Sequence, residues 1–293
     1  MAIPSLRRKQ NTFGNWYVDS RCINCDVCRF LAPHTFAIRN GASAVVSQPQ
    51  SISDMTHATR AMLACPVGAV GTMEAVNSQL LDEASVPLRI ADEIYYCGFS
   101  SPQSYGASSY LVMNDAGNVL IDCPRFEASI VKHITELGGV GFMVLTHSDD
   151  TADHALFRRH FSCERIIHIR DVSNTTKDCE TMIIGDAPTP ICGSANFLAI
   201  PVPGHTAGQI VVLYKNRYLF SGDHVAFSPE LGHLFAFREL CWHSWKKQIE
   251  SMERLLHFDF EWVLPAHGRS LNTPPDPMHQ SMKLCIEWMN SKQ

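Results

Sequence analysis

Three cysteines within seven residues, Cys22, Cys25 and Cys28, constrain this chain more than any other feature. The two-residue spacers let a short segment wrap one corner of an inorganic core, so that three thiolates reach three metal atoms. Cys65, with Pro66 directly after it, is the distant fourth thiolate that closes such a cage. No second run of this kind occurs, so Cys65 returns to the same centre and one 4Fe-4S cluster is expected. Tetrahedral zinc also accepts four thiolates and is the alternative, but zinc sites usually show paired C-x2-C knuckles rather than a triple. The chain carries 11 cysteines in 293 residues. A secreted disulfide scaffold does not fit them, because no apolar h-region follows the basic residues Arg7, Arg8 and Lys9. The cysteines outside the motif are scattered without ligand spacing and read as buried thiols.

The motif resembles that of single-cluster 4Fe-4S ferredoxins, over about residues 15–73. The neighbouring residues agree: a short strand is expected at Trp16 to Asp19, a helix at Arg29 to Phe36, a strand at Ala44 to Val46, and a helix at Thr56 to Cys65 that delivers the last ligand. Residues 74–89, with Glu74, Asn77, Asp82, Glu83 and Pro87, change in composition and read as a linker with room for one helical turn. After it, apolar runs at Ser109 to Met113 and Asn118 to Asp122 flank Asn114-Asp115-Ala116-Gly117, a hairpin signal.

From there strands and helices alternate, and a set of side chains recurs just past strand ends. Phe142 to Leu145 ends in Thr146-His147, and Asp153-His154 precedes a helical stretch from Ala155 to Phe161. Phe197 to Val202 leads to Gly204-His205, Tyr218 to Phe220 to Gly222-Asp223, and Trp262 to Leu264 to Pro265-Ala266-His267-Gly268. Imidazole and carboxylate at the ends of buried strands are where α/β layers open into a ligand crevice.

This order resembles the metallo-β-lactamase superfamily, over residues 90–293. The resemblance implies an α+β chain, a ferredoxin-like iron-sulfur domain followed by an αββα sandwich. It also implies a two-metal site held by His147, Asp153, His154, His205, Asp223 and His267, with Asp223 bridging both ions and Asp122 as the non-ligating structural aspartate. One departure stands out. Where the family has a second histidine two residues after the first, this chain has Asp149, followed by Asp150, and two extra residues precede the Asp-His pair. Asp149 or Asp150 is therefore expected as a ligand, and these two with Asp223 as the catalytic carboxylates. Carboxylate moves preference toward iron or manganese, whereas imidazole suits zinc, so two ions of iron, zinc or manganese are the expected cofactors beside the cluster.

Such a site hydrolyses esters, thioesters or lactones when its metals activate water. With iron it performs redox chemistry, and the cluster becomes the electron source. Asp149 and the fused cluster incline the reading toward the redox enzyme, with hydrolysis beside a structural or sensing cluster as the alternative.

The net charge of −5 lacks the basic stripe that nucleic-acid binding needs. No apolar run approaches the roughly 18 residues of a membrane span. A small-molecule substrate is expected, with a redox protein and a second copy in a homodimer as candidate partners, in the cytoplasm or another reducing compartment such as a plastid stroma. The polar stretch Gly98 to Gly106 has the character of a loop overhanging a substrate pocket. Trp242, Trp245, Ile249, Met252 and Leu256 fall at helical spacing and read as one packing stripe.

Overall fold

The computed structural model describes residues 2–292 and divides into two compact units. The first comprises the chain up to Leu111 together with Pro124–Leu137, and the second Val112–Cys123 with everything from Gly138 onward.

In the first unit, Trp16–Val18 pairs antiparallel with Val70–Thr72, and Phe36–Arg39 with Ala42–Val45. The helix Ile52–Ala64 starts four residues before the expected Thr56, because Ser51 and Asp54 form a reciprocal capping box. The helix after the third cysteine is shorter than expected, Val27–Leu31 instead of Arg29 to Phe36. Pro33 disfavours helical backbone at the residue before it, and Ala32 accordingly leaves the helix at φ −141° and ψ 66°. Trp16, Val18, Phe36, Val45, Ala58, Ala61 and Val70 form the core, and Cys28 and Cys65 are part of it.

The expected linker is packed into this unit. Its helical turn is a helix, Ser78–Glu83, capped by Asn77 Oδ1, which accepts from Leu80 N at 2.8 Å. Arg60 donates to the Glu83 carbonyl at 3.1 Å, and the His133 ring lies 2.7 Å from the Val86 carbonyl. Those bonds tie the segment from Ser78 to Val86 to the rest of the first unit.

Besides a two-stranded pair, Ala226–Ser228 with His233–Phe235, the second unit holds two larger sheets. In one, Val119–Ile121, Phe142–Val144, Glu164–His168 and Thr181–Ile183 run parallel in that order. The other has the order Thr189–Ile191, Ser194–Pro201, Ile210–Tyr214, Tyr218–Gly222, Trp262–Pro265, Leu271–Asn272. Within it Tyr218–Gly222 and Trp262–Pro265 are parallel and the other pairs antiparallel. Their buried β-branched and leucine side chains pack against Ile249, Met252 and Leu255 of the helix Trp245–Leu255 and Met278, Met282 and Met289 of the helix Pro275–Asn290. That helix begins after Ser244, whose hydroxyl accepts from Lys247 N, so Trp242 lies outside it. The stripe from Trp245 to Leu255 is core, whereas Trp242 is 62% exposed. Among the described residues no helix is long and apolar enough to cross a membrane.

Candidate metal centre

Each ligand candidate follows a strand whose end is fixed by backbone pairing. Thr146 carries its carbonyl to Ile210 N at 2.9 Å, which sets His147 beside the second sheet. Gly222 ends its strand at φ +51°, and a side chain there would place its Cβ 2.6 Å from Thr146 Oγ1. Only glycine meets both conditions, so Asp223 is delivered directly against Thr146-His147. Gly204 is excluded from bearing a side chain for a different reason: a Cβ would lie 2.5 Å from Gln248 Cα in the packed helix, which fixes how closely His205 approaches.

Two three-ligand groups result, His147, His205 and Asp223, and Asp150, Asp223 and His267. Asp223 belongs to both. Its Oδ2 is 3.7 Å from His147 Nε2 and 3.8 Å from His205 Nε2, and its Oδ1 is 2.8 Å from His267 Nδ1. Asp150 Oδ2 lies 3.7 Å from His147 Nε2, and Asp149 Oδ2 3.3 Å from His205 Nε2. Donors on a tetrahedral ion at 2.0–2.1 Å stand about 3.3 Å apart, so the spacings of 3.3 to 3.8 Å fit ligation, while the 2.8 Å between His267 Nδ1 and Asp223 Oδ1 is a hydrogen bond. His147 Nε2 and both Asp150 oxygens are buried with no hydrogen-bond partner, as donors awaiting a cation would be.

The electrostatics agree. Burial, then the charge of Asp223, pushes the Asp150 carboxyl well above the usual range. Burial also raises Asp223, but His267, His147 and His205 outweigh it and hold it below its ordinary value. The His205 imidazole holds Asp149 down to about 2. Asp122, at φ +55° past its strand, accepts from Thr146 N at 2.8 Å and Thr146 Oγ1 at 3.0 Å, and burial lifts it to about 7. Thr146 Oγ1 is also 2.9 Å from His147 Nδ1. A chain from His147 Nδ1–H to the Thr146 hydroxyl to Asp122 leaves the Nε2 lone pair facing the ligand group.

Asp153 and His154 join neither group. Ala152 turns the chain at φ +34°, Asp153 becomes the N-cap of the helix His154–Phe161, and His154 Nδ1 lies 3.2 Å from Arg165 Nη1. His154 thus stands beside Arg165, which is paired with Asp178 and Glu180. Asp150 takes the place left beside Asp223 and His267.

Two contributors were not foreseen from the sequence. Asp171 accepts from Ser148 N at 3.0 Å, Thr206 Oγ1 at 2.5 Å and Gly208 N at 2.6 Å, tying the His147 loop to the His205 loop. Its partners lie 23 to 37 residues away, so no local pattern marks it. Trp242 donates its indole N–H to Asp149 Oδ2 at 3.0 Å, with its ring centroid 6.2 Å from that of His205. Ser244 as a helix cap is the signal that would have removed it from the packing stripe.

In the first unit Cys22, Cys25, Cys28 and Cys65 line one partly open hollow, with Ser43 and Pro66 on its wall. Ala69 N donates to Cys65 Sγ at 3.2 Å. Burial pushes the Cys25 and Cys28 thiols up to about 12, and a bound metal would take the place of the proton. The polar loop Gly98 to Gly106 lies against this hollow: a Cβ on Gly106 would meet Cys25 Sγ at 3.0 Å.

Residues 18–72 match the family described as the 4Fe-4S single cluster domain of Ferredoxin I. The chain aligns with an archaeal metallo-β-lactamase superfamily protein from Sulfolobus tokodaii at TM-score 0.50 and 18% identity, covering 70% of this chain and 88% of that one. It aligns with DIM-1 metallo-β-lactamase at TM-score 0.51 and 16% identity, covering 68% and 95%. The fold is that of the metallo-β-lactamases. An 88-residue stretch, 30% of this chain, is 35% identical to a hydroxyacylglutathione hydrolase of Yersinia pestis, and spans 33% of that relative's length. Over 203 residues the chain is 22% identical to β-lactamase-like protein 2 homolog of Drosophila melanogaster, covering 61% of this chain and 64% of that protein. The protein therefore joins an iron-sulfur domain to a metallo-β-lactamase fold.

Proposed function

We propose that this protein is a metal-dependent hydrolase of an ester, thioester or lactone-like small molecule, and that its iron-sulfur domain has a structural or sensing role. The Asp223 carboxylate shared by two ligand groups supports a two-metal site, and the hydroxyacylglutathione hydrolase among the partial relatives is what favours hydrolysis there. His147, His205, Asp223 and Asp149 would hold one ion, and Asp150, Asp223 and His267 the other. When bound, the ions would supply Lewis acidity for a carbonyl and acidify a water molecule. The chain's own part is positional: Thr146 and Asp122 orient His147, Asp171 keeps Ser148 and Thr206 in register, and Trp242 fixes Asp149. The relative named as a hydroxyacylglutathione hydrolase supports a thioester as the first substrate to try.

A second reading, a diiron oxidoreductase fed by the cluster, is favoured by Asp149 standing where the superfamily has an imidazole. The two are separated by metal analysis of anaerobically purified protein with assay of a hydroxyacyl-glutathione thioester. About four irons with two zincs and turnover that Asp223→Asn abolishes would support the hydrolase. About six irons with a reducible pair and no turnover would support the oxidoreductase, one cubane plus two site metals in either case.

A further inference from the structure

The loop over the cysteines is attached to them at both edges, and nothing in the ferredoxin-type match accounts for it, since that match ends at residue 72. At one edge the Tyr105 hydroxyl donates to the carbonyl of Ile23, between Cys22 and Cys25. At the other, Arg125 Nη1 donates to the carbonyl of Pro66, the residue after Cys65, at 3.0 Å. Arg125 is itself bound to the loop, its N–H donating to the Phe99 carbonyl at 2.7 Å and its guanidinium standing 6.0 Å from the Phe99 ring. The tip, Gly106, has φ +91° and lies so close that a Cβ would be 2.7 Å from Cys25 Cβ and 3.4 Å from Pro66 Cγ.

The loop's own backbone is held in a costly shape. Phe99 and Tyr105 sit at φ +41° and +47°, in the left-handed region that non-glycine residues avoid. Such strain persists when the surroundings over-determine it. Here the surroundings are the two carbonyls and the Cys25 side chain, together with internal bonds from Gly106 N to Ser101 O at 2.9 Å and Ala107 N to Ser104 O at 2.8 Å.

The geometry points to Phe99–Ala107, clamped by Tyr105 and Arg125, as a cover that limits access of water and dioxygen to the Cys25 side of the cluster and thereby sets its air lifetime and reduction potential. The inference rests on Cys22, Cys25, Cys28 and Cys65 holding a cluster. Solvent exposure is one of the quantities that fix the potential of such clusters, because water stabilises the more negatively charged reduced state. A cover of this kind makes the cluster's environment depend on residues from beyond the ferredoxin-type segment.

The test uses the full chain, purified anaerobically with its cluster. Wild type, Tyr105→Phe and Arg125→Gln are compared for loss of visible cluster absorbance in air-saturated buffer, where dioxygen takes one electron per molecule and leaves as superoxide. Their midpoint potentials are measured by dithionite titration followed by electron paramagnetic resonance. Both variants should bleach several-fold faster than wild type, with potentials shifted to less negative values, while far-UV circular dichroism stays unchanged. Wild-type bleaching rates and potentials in both variants would overturn the cover. A wild-type protein that binds zinc or no iron would instead overturn the cluster assignment on which the cover rests.

Discussion

Replacing Asp171 by asparagine should loosen the metal centre without touching a ligand. The carboxylate is 5% exposed and takes three donors, two of them backbone N–H groups. Asparagine keeps one acceptor oxygen and turns an NH2 group toward either Gly208 N–H or the Ser148 and Thr206 donors, so at least one charge-assisted bond is lost. A hydrogen bond to a charged group contributes about 1.5–3 kcal/mol. For a unit of this size each kcal/mol moves the midpoint by about 2–4 °C, which gives a fall of about 3–12 °C. The same bonds keep the His147 and His205 rings edge to face, with centroids 4.9 Å apart. Loss of an outer partner of this kind lowers metal affinity by roughly 10–100-fold. Calorimetry of metal-free protein reads the first effect, and titration with a competing chelator reads the second. A midpoint within about a degree of wild type, with chelator competition unchanged, would show that the two loops do not depend on Asp171.

His154→Ala should leave the metal stoichiometry of the second unit intact while lowering its thermal midpoint, because it removes a partner of the buried Arg165 and no ligand; Asp150→Asn should do the reverse and lower the metal content. Elemental analysis of the two variants side by side checks both, and loss of metal from His154→Ala would restore that residue to the ligand set. Burial works against ionisation of Glu180, but Arg165 and Arg158 outweigh it and hold its carboxyl down to about 2. A carboxyl depressed on folding adds stability above its unfolded value of about 4.3, and that stability is lost as pH falls toward the folded value. Glu180→Gln should therefore flatten the stability curve between about pH 4.5 and pH 2, measured by urea unfolding across that range, and an unaltered acid limb would remove Glu180 from the account.

What the sequence made legible was whatever a short segment decides by itself. The C-x2-C-x2-C run places three thiolates through its own spacing, and Gly-Asp at Gly222-Asp223 marks a strand end that must turn sharply. The helix begins at Ile52, four residues before Thr56, because the Ser51–Asp54 box, itself a local pattern, sets its start. The centre depends on more than local letters. Asp153-His154 has the family's letters, yet neither residue falls in the two ligand groups, and Ala152 turns the chain at φ +34° just before them. Asp150 becomes a candidate because it follows the strand end closely while Ser148 N is held by Asp171. Bonds that tie the first unit together, such as Arg60 to Glu83 and Arg125 to Pro66, run across 23 and 59 positions, which no window of sequence contains.

Asp149 is the residue on which the choice of chemistry turns. A carboxylate has more lone pairs than an imidazole, so its bond from Trp242 does not disqualify Oδ2 from facing an ion beside His205, 3.3 Å away. With Asp150 in the second group, the two positions together offer three imidazoles and three carboxylates where the family pattern supplies more imidazole. That set is harder than the pattern implies, which favours iron or manganese over zinc without refusing zinc. The cage geometry is common to both chemistries, since a shared carboxylate between two ligand groups serves hydrolysis and redox alike. The identity of the ion therefore decides the reaction, and Asp149→His, which restores the family's residue, should move the metal selectivity toward zinc if the carboxylate is what sets it.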